Sequence, residues 1–484
     1  MEKKFQVVLI CTPEMGNLVP LVEFAHLLTN RDRRFSATIL IMTLSQRPLI
    51  NEFVKSRQAS SPDINFVYLP TVDPPSPDQR TSTLGYISLF IEKHKPHVKH
   101  AITNLMSTES DSVRVAGLFI DMFCTSMIDV ANELGVPCYL YFASPASFLG
   151  LMLCYSDLET QLTNELVESS TELFVAKNPS TQFHIPSFVN PLSSLLLPTT
   201  VLKRNRDGHV WYGRHGRKYK ETKGIVINTF RELETFAIDS VSRNGTTPVY
   251  PIGPVLDLAG PARWHPDQAG QENIMKWLDD QPPSSVVFLC FGSMGSLDGP
   301  QLREIAVGLE GAGFRFLWSI RTPPKGTVEL PGEYANVEEV LTDGFLDRTA
   351  GIGLVCGWVP QVTILGHQAI GGFVSHCGWN SVLESLWYGV PIATWPVYAE
   401  QQMNAFLLVK ELGLAVEIRL DYREGSELVL AEELERGLRR LMDGNDEVRI
   451  KVKEMRDMSR TAVIENGSSY RSVGSLVEEL MANV

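Results

Sequence analysis

Residues 358–401 read WVPQVTILGHQAIGGFVSHCGWNSVLESLWYGVPIATWPVYAEQ, and the order of chemical types in that stretch decides the fold. Residues 372–375 (GFVS) form a short strand. Ser-His-Cys-Gly at 375–378 is a turn, and Trp379-Asn380-Ser381 opens a helix. A strand, a turn of small residues and a helix tip together make an anion site, because the free backbone N–H groups and the helix dipole both point at it. Ser381 and Asn380 can add side-chain donors, and His376 stands beside them. Glu384 follows Ser381 by three residues and shares its helical face. A carboxylate there would repel phosphate, but it can accept hydrogen bonds from both hydroxyls of a neighbouring ribose. Trp358 sits on a loop, after a glycine and before Val-Pro, where an indole can stack on a base. Glu400 and Gln401 supply a carboxylate and an amide suited to sugar hydroxyls. Each residue alone has an ordinary structural explanation; their joint order within 44 residues favours a nucleotide-sugar site.

Working outward, the stretch belongs to a second α/β pattern that begins near Ser285. Strand-like runs lie at 286–291, 314–320, 353–356, 371–374 and 391–394, with helical segments between them, one of them at 300–312. The last fifty or so residues are helical and charge-laced. The first half repeats the same alternation. Strands are expected at 5–10, 35–42, 64–69, 118–120, 138–142 and 224–228. Helices are expected at 17–28, 83–105 and 126–134. Repeated βα units imply parallel sheets with helices on both faces. The middle is less regular: 186–200 is rich in Ser, Leu and Pro, and the basic residues at 203–206 and 214–220 read as a solvated helix. The Gly/Pro/Ala-containing segment 251–272 reads as a linker. The expected organisation is therefore an N-terminal Rossmann-like domain over 1–250, a linker over 251–272 and a C-terminal Rossmann-like domain over 273–464. The last helix, about 465–484, should pack back on the first domain. The two domains should face one cleft, with ligands at the carboxyl ends of the strands.

The bulk properties agree. A chain of 484 residues exceeds what one hydrophobic core usually supports, so two domains of about 200–250 residues are expected. A net charge of −13 disfavours nucleic acid and anionic lipid as partners. It also means that an anionic ligand must be held by a local device. Seven scattered cysteines without a CxxC pair read as buried thiols in a reducing, cytoplasmic setting. No stretch approaches the ~18–20 apolar residues that cross a bilayer. There is no zinc-type His/Cys spacing and no DxD triplet. The turn after the first strand, Thr-Pro-Glu-Met-Gly-Asn, lacks the glycine fingerprint of a dinucleotide-dependent oxidoreductase.

The 358–401 segment resembles the 44-residue signature box of plant secondary-product UDP-glycosyltransferases, family 1, of the GT-B fold. FGSMG at 291–295, Gly253-Pro254 and the early TPEMGNLVP extend the similarity along nearly the whole chain. The phenolic- and flavonoid-glycosylating branch is the most similar. The resemblance implies that Trp358 stacks on uracil, with the Val359 backbone reading its edge. Gln361 and Glu384 would hold the ribose, and Ser293, His376, Asn380 and Ser381 the diphosphate. Trp379, Glu400 and Gln401 would contact the sugar, and Gln401 favours glucose. The implied reaction is inverting and metal-free, without a cofactor: an acceptor hydroxyl attacks the anomeric carbon in line with departing UDP. The implied partners are UDP-glucose and a small apolar acceptor, and the expected state is a monomer.

One position departs from the family. The general base is a His in the turn after the first strand, and here Asn17 stands at the matching place; Asp121 matches its acidic partner. An amide cannot take a proton at neutral pH, and a placed base contributes about 10²–10⁴-fold to the rate. Three explanations stay open. Asn17 could orient the acceptor while Asp121 works directly or through water. A His could have been replaced deliberately to trap substrate. The chain could bind a UDP-sugar with little or no turnover. Asn17 also suits a helix N-cap. His26 is nine residues further along the helix, more than two turns away. The acceptor pocket is expected from Met15, Phe123, Phe142, Phe148 and Leu196, with Tyr398 reaching in from the second domain; these residues suit a planar phenol, flavonoid or terpenoid.

Overall fold

The computed structural model describes residues 4–76, 81–108, 113–169, 173–243, 247–259, 262, 264–324, 329–423, 427–444 and 446–484. The chain divides into two compact units. The first comprises Met1–Ser194, Thr200–Asp257 and Ser459–Val484; the second comprises Leu195–Thr199 and Leu258–Met458. The expected linker, 251–272, includes three residues outside the described set (260, 261 and 263). Its first part is fixed within the first unit, since the Asn228 side chain both accepts from Val255 N (2.7 Å) and donates to Val255 O (3.1 Å). Its last part already belongs to the helix Gln268–Asp279.

The first unit carries β1 (Lys4–Ile10), β2 (Phe35–Ile41), β3 (Ile64–Tyr68), β4 (Val113–Ile120) and β5 (Cys138–Phe142). Two short antiparallel pairs follow, β6 (Leu166–Glu168) with β7 (Phe174–Ala176) and β8 (Gln182–Phe183) with β9 (Leu192–Ser193). It ends with β10 (Gly224–Ile227) and β11 (Val249–Pro251). The main sheet runs β11-β10-β5-β4-β1-β2-β3, and every pair in it is parallel. Strands covered by helices on both faces have no polar side to show, which is why 7–10 (VVLI) and 138–142 (CYLYF) are buried throughout. The terminal helix Ser468–Ala482 packs against β11 and the helix Met15–Arg31. The Arg31 guanidinium lies 3.8 Å above the Tyr470 ring.

The second unit carries β12 (Val286–Cys290), β13 (Arg315–Ser319), β14 (Gly353–Cys356), β15 (Ile370–Ser375), β16 (Ile392–Thr394) and β17 (Ala415–Glu417). Their order is β14-β13-β12-β15-β16-β17, again parallel throughout. In each sheet the strand order reverses beside the first strand: between β1 and β4 in one, and between β12 and β15 in the other. Open α/β sheets leave a crevice at that point, just beyond the carboxyl ends of the strands.

Three local expectations change. The single helix expected over 83–105 is two, Thr83–Lys93 and Lys95–Thr108. Pro96 has no N–H and fits only a first helical turn, so a new helix starts there. The basic stretch is not simply solvated. The helix Gly208–Tyr219 keeps Arg214 and Arg217 outside but buries Trp211, Tyr212, His215 and Tyr219. It approaches its neighbour so closely that a Cβ on Gly216 would lie 2.1 Å from Met152 O. That neighbour, the helix Ala146–Glu165, was not expected. Its first turns, ASFLGLM, are buried on every side, so they show no apolar stripe.

The N-terminus of this helix follows Pro145 and cannot be capped by that residue's side chain. A carboxylate from elsewhere does so: Glu234 accepts from Ala146 N (2.9 Å) and Ser147 N (3.0 Å). Burial pushes its carboxyl above the usual range, while these N–H donors and Thr229 pull it back. Leaving two buried N–H groups without a partner costs about 1–3 kcal/mol each. We predict that Glu234→Ala lowers unfolding free energy by about 2–4 kcal/mol in urea denaturation. Stability within about 0.5 kcal/mol of the unsubstituted chain would rule out the capping role.

Candidate active site

The candidate phosphate site of the second unit lies at the β12/β15 crevice. Cys290 and Ser375 are register partners at the ends of the two strands, so Phe291-Gly292-Ser293 and His376-Cys377-Gly378 emerge side by side. Gly292 has φ +79° and Cys377 φ +62°, two left-handed residues that turn the chain sharply. The His376 ring fills the space between the two glycines. A Cβ on either Gly292 or Gly378 would come 2.5 Å from its Nε2. His376 is 5% exposed, and its Nδ1 is buried without a partner among the described residues. Burial holds its pKa down to about 4, against a hydrogen bond with the Cys290 backbone that favours the charged form. The ring is therefore neutral at working pH and would meet a ligand by hydrogen bonding.

The helix Trp379–Tyr388 starts at Gly378, and no side chain caps it. Its tip keeps the dipole and the first backbone N–H groups directed at the crevice. Ser293 is exposed and Asn380 partly so, while Ser381 and Trp379 are buried. Gln361 joins two elements, its Nε2 donating to Ser381 Oγ (2.8 Å) and Glu384 Oε2 (2.6 Å). The structure thus brings Gln361, Ser381 and Glu384 together. The Val359 carbonyl accepts from Gln361 N (3.0 Å).

Trp358 is half-buried and already has a stacking partner. The His265 imidazole lies parallel to the indole, with centroids 3.8 Å apart and planes 8° from each other. Trp264 meets its edge at 5.6 Å. His265 is itself fixed: its Nδ1 accepts from Asp267 N (3.3 Å) and its carbonyl accepts from Gln268 Nε2 (2.5 Å). The Trp358 N–H donates to Glu333 Oε1 (3.0 Å). One face of the indole is covered, so a base could use only the other without displacing the histidine.

Beyond β16, Gln401 is 2% exposed. Its Oε1 accepts from both Val397 N and Tyr398 N (2.9 Å each), so its NH₂ is the end left for a sugar. Glu400 and Tyr398 are half-buried in the same turn, and Ala399 takes φ +56°. Asn404 ties this segment to the crevice by donating to Cys377 O (2.9 Å). His265, Trp264, Glu333 and Asn404 were not among the sequence candidates. Only Asn404 carried a signal, as a polar residue one helical turn after Gln401.

In the first unit, Asn17 and Asp121 follow β1 and β4 and meet at the other crevice. Asn17 is not the N-cap; Glu14 is. Asn17 lies in the first turn, and its Nδ2 donates to Asp121 Oδ2 (3.2 Å). The same oxygen accepts from Thr12 N (2.5 Å), and Oδ1 accepts from Phe123 N (2.9 Å) and Cys124 N (3.1 Å). Asp121 is 3% exposed.

The acceptor candidates scatter. Met15 and Phe123 are half-buried near this crevice. Phe142 and Phe148 are 0% and 1% exposed and pack in the core with Tyr212 and Tyr219. Leu196 lies in the segment that groups with the second unit, where Arg423 binds Leu197 O and Thr199 Oγ1. Among the described residues, no three His, Cys, Asp or Glu side chains gather to hold a metal ion, and no helix is long and apolar enough to cross a membrane.

Two doubly wound parallel sheets, one of them ending in a crevice beside an uncapped helix tip, have the architecture of the GT-B glycosyltransferases. Comparison with known proteins agrees. Residues 249–446 match the family model described as UDP-glucoronosyl and UDP-glucosyl transferase. UDP-glycosyltransferase 43 of Pueraria montana var. lobata is 56% identical over 99% of both chains. UDP-glucose flavonoid 3-O-glucosyltransferase 6 of Fragaria ananassa is 46% identical over 100% of both. The crystal structure of Medicago truncatula UGT71G1 complexed with UDP-glucose superposes with a TM-score of 0.88 at 43% identity, covering 99% of this chain and 98% of that one. The chain belongs to the plant family 1 UDP-glycosyltransferases and is a UDP-sugar-dependent glycosyltransferase.

Stacking of a base on an aromatic ring contributes about 1–3 kcal/mol. We predict that Trp358→Ala weakens UDP binding by that amount in calorimetric titration. His265→Ala should weaken it less, and His265→Phe should restore it. Unchanged UDP affinity in the Trp358 variant would exclude the indole as the base platform.

Proposed function

We propose that this enzyme transfers glucose from UDP-glucose, with inversion and without a metal, to a hydroxyl of a small apolar acceptor such as a phenol or flavonoid. The observation that carries the reading is the β12/β15 crevice: an uncapped helix tip, a buried unpartnered His376 Nδ1 and two glycines cut to the shape of the ring. In it Ser293, His376, Asn380 and Ser381 hold the diphosphate. Gln361 and Glu384 hold the ribose, and Trp358 with the Val359 backbone holds the base. Trp379, Glu400 and Gln401 contact the sugar.

Glucose is supported by the Gln401 amide and by the naming of the Medicago complex and the Fragaria relative. Charge grows on the departing β-phosphate as the glycosidic bond breaks. Fixed N–H donors at the helix tip stabilise that charge without reorganising. The acceptor side belongs to Asn17, Asp121, Met15 and Phe123. Seven free cysteines fit a reducing cytoplasm. A second reading, binding of a UDP-sugar with little turnover, is favoured only by the amide at position 17.

The test is a UDP-release assay over a phenol panel, with UDP-glucose and UDP-galactose compared and the product anomer read by NMR. We expect β-glucosides, preference for UDP-glucose and turnover unchanged by EDTA. A retained α configuration or a large loss with EDTA would refute the mechanism. Tight UDP-glucose binding with no release on any phenol would favour the second reading.

A further inference from the structure

The proposed transfer leaves a proton to be placed, and the expected recipients are poorly suited to it. Asn17 is an amide. The nearest histidine along the same helix, His26, is nine residues on, roughly 13 Å of helix rise, with its Nε2 beside Ser61 Oγ (3.1 Å). Asp121 is a carboxylate, but it has no lone pair to spare. An ionised carboxylate offers about four acceptor positions, and here four N–H donors occupy them: Thr12 N and Asn17 Nδ2 on one oxygen, Phe123 N and Cys124 N on the other. To take a proton it would have to give up the bonds that shape its loop.

A second carboxylate stands at the same crevice. Glu14 occupies the N-cap of the helix that carries Asn17 at its third position, three residues on and so on the same side of the first turn, and it lies close enough to Asp121 to feel its charge. Its side chain does not cap the helix, so its oxygens are not spent on the helix tip. It is 30% exposed, against a nearly inaccessible Arg47 whose Nη2 lies 3.6 Å from Oε1. It therefore faces solvent on one side and is oriented by a buried cation on the other. Resting on the transferase reading above, we propose that Glu14 is the general base of this enzyme, replacing the histidine that Asn17 displaced. Asn17, with Nδ2 pinned to Asp121, presents its Oδ1 to the acceptor hydroxyl and orients it. As the acceptor oxygen forms its bond to the anomeric carbon, the bond from that carbon to the β-phosphate oxygen breaks and its electron pair leaves with UDP. The acceptor proton passes to Glu14, directly or across one water.

The electrostatics agree with the geometry. Burial raises the Glu14 carboxyl above the usual carboxylate range; Arg47 opposes the rise and Asp121 adds to it. A raised pKa makes a carboxylate a stronger base. Cys11, the other ionisable group in electrostatic contact, is pushed far up by burial and remains a neutral thiol.

The test compares Glu14→Gln, Asn17→His and the double variant with the unsubstituted enzyme, using UDP-glucose and one phenol. Glu14→Gln should lower kcat about 100-fold with UDP affinity unchanged and, since it also removes the counter-charge of the buried Arg47, with a lowered thermal midpoint but a folded chain at the assay temperature. It should also abolish the acid limb of the kcat/KM–pH profile, which in the unsubstituted enzyme lies above the usual carboxylate range. Adding Asn17→His to Glu14→Gln should restore activity, which repair of a merely structural defect would not do. Turnover of Glu14→Gln within about threefold of the unsubstituted enzyme, against the expected loss, overturns the assignment. So does an unsubstituted chain that binds UDP-glucose but releases UDP only after Asn17→His, although the transferase reading then survives. Failure of every chain, including Asn17→His, to release UDP removes that reading and this inference together.

Discussion

A parallel sheet whose strand order reverses beside its first strand must send the loops that follow two neighbouring strands in opposite directions, one over each face. Nothing in the backbone then covers the gap between them, and the two strand ends expose their last peptide groups to whatever fills it. Both sheets of this protein are subject to that constraint, at β1/β4 and at β12/β15. In the second sheet the gap is shaped by the absence of atoms. Gly292 and Gly378 leave room for one imidazole, and that ring puts a buried, unpartnered nitrogen beside the tip of an uncapped helix. In the first sheet the gap is filled by a carboxylate. Asp121 draws N–H groups from both strand ends, so the loop after β4 and the loop after β1 are held by the same two oxygens.

The same constraint explains which residues the sequence could reveal. The parallel sheets were legible because strands covered on both faces must be apolar at every position, and runs such as VVFLC and CYLYF have few other uses. The crevice at β12/β15 was legible as a shape because helix tip, turn and strand are contiguous in one 44-residue segment. Asn17 and Asp121, 104 positions apart, could be paired only through the resemblance. The helix Ala146–Glu165 was hidden because burial on every side erases the 3.6-residue stripe that marks a helix. Glu234 was hidden because a cap supplied by a residue 88 positions away has no local pattern. His265 was hidden for the same reason: its role comes from lying flat on an indole 93 positions later. Two of the aromatic acceptor candidates show the ambiguity from the other side. Phe142 and Phe148 have the right chemistry for a pocket, but the interior of a parallel sheet uses the same chemistry, and there they are packed away.

The two crevices also divide the electrostatic work in a way that a −13 chain requires. A global negative field opposes a nucleotide diphosphate, so the donor site cannot depend on net charge. In the proposed donor site the local device is dipolar: a helix tip and a neutral histidine whose pKa burial has lowered to about 4. Fixed dipoles are screened less by salt than exposed lysines would be, and they need no counter-ion when the site is empty. The first unit faces the opposite task, because it must hold negative charge next to a hydroxyl. Asp121 does so by spending its charge on four N–H groups, which makes it a structural anion. Glu14 keeps one side open to solvent and meets the Arg47 guanidinium on the other. Of two carboxylates at one crevice, the one held by four N–H groups fixes the loop, and the one that borders solvent is the proposed base. Environments that divide two carboxylates in this way are how one site assigns separate roles to chemically identical groups.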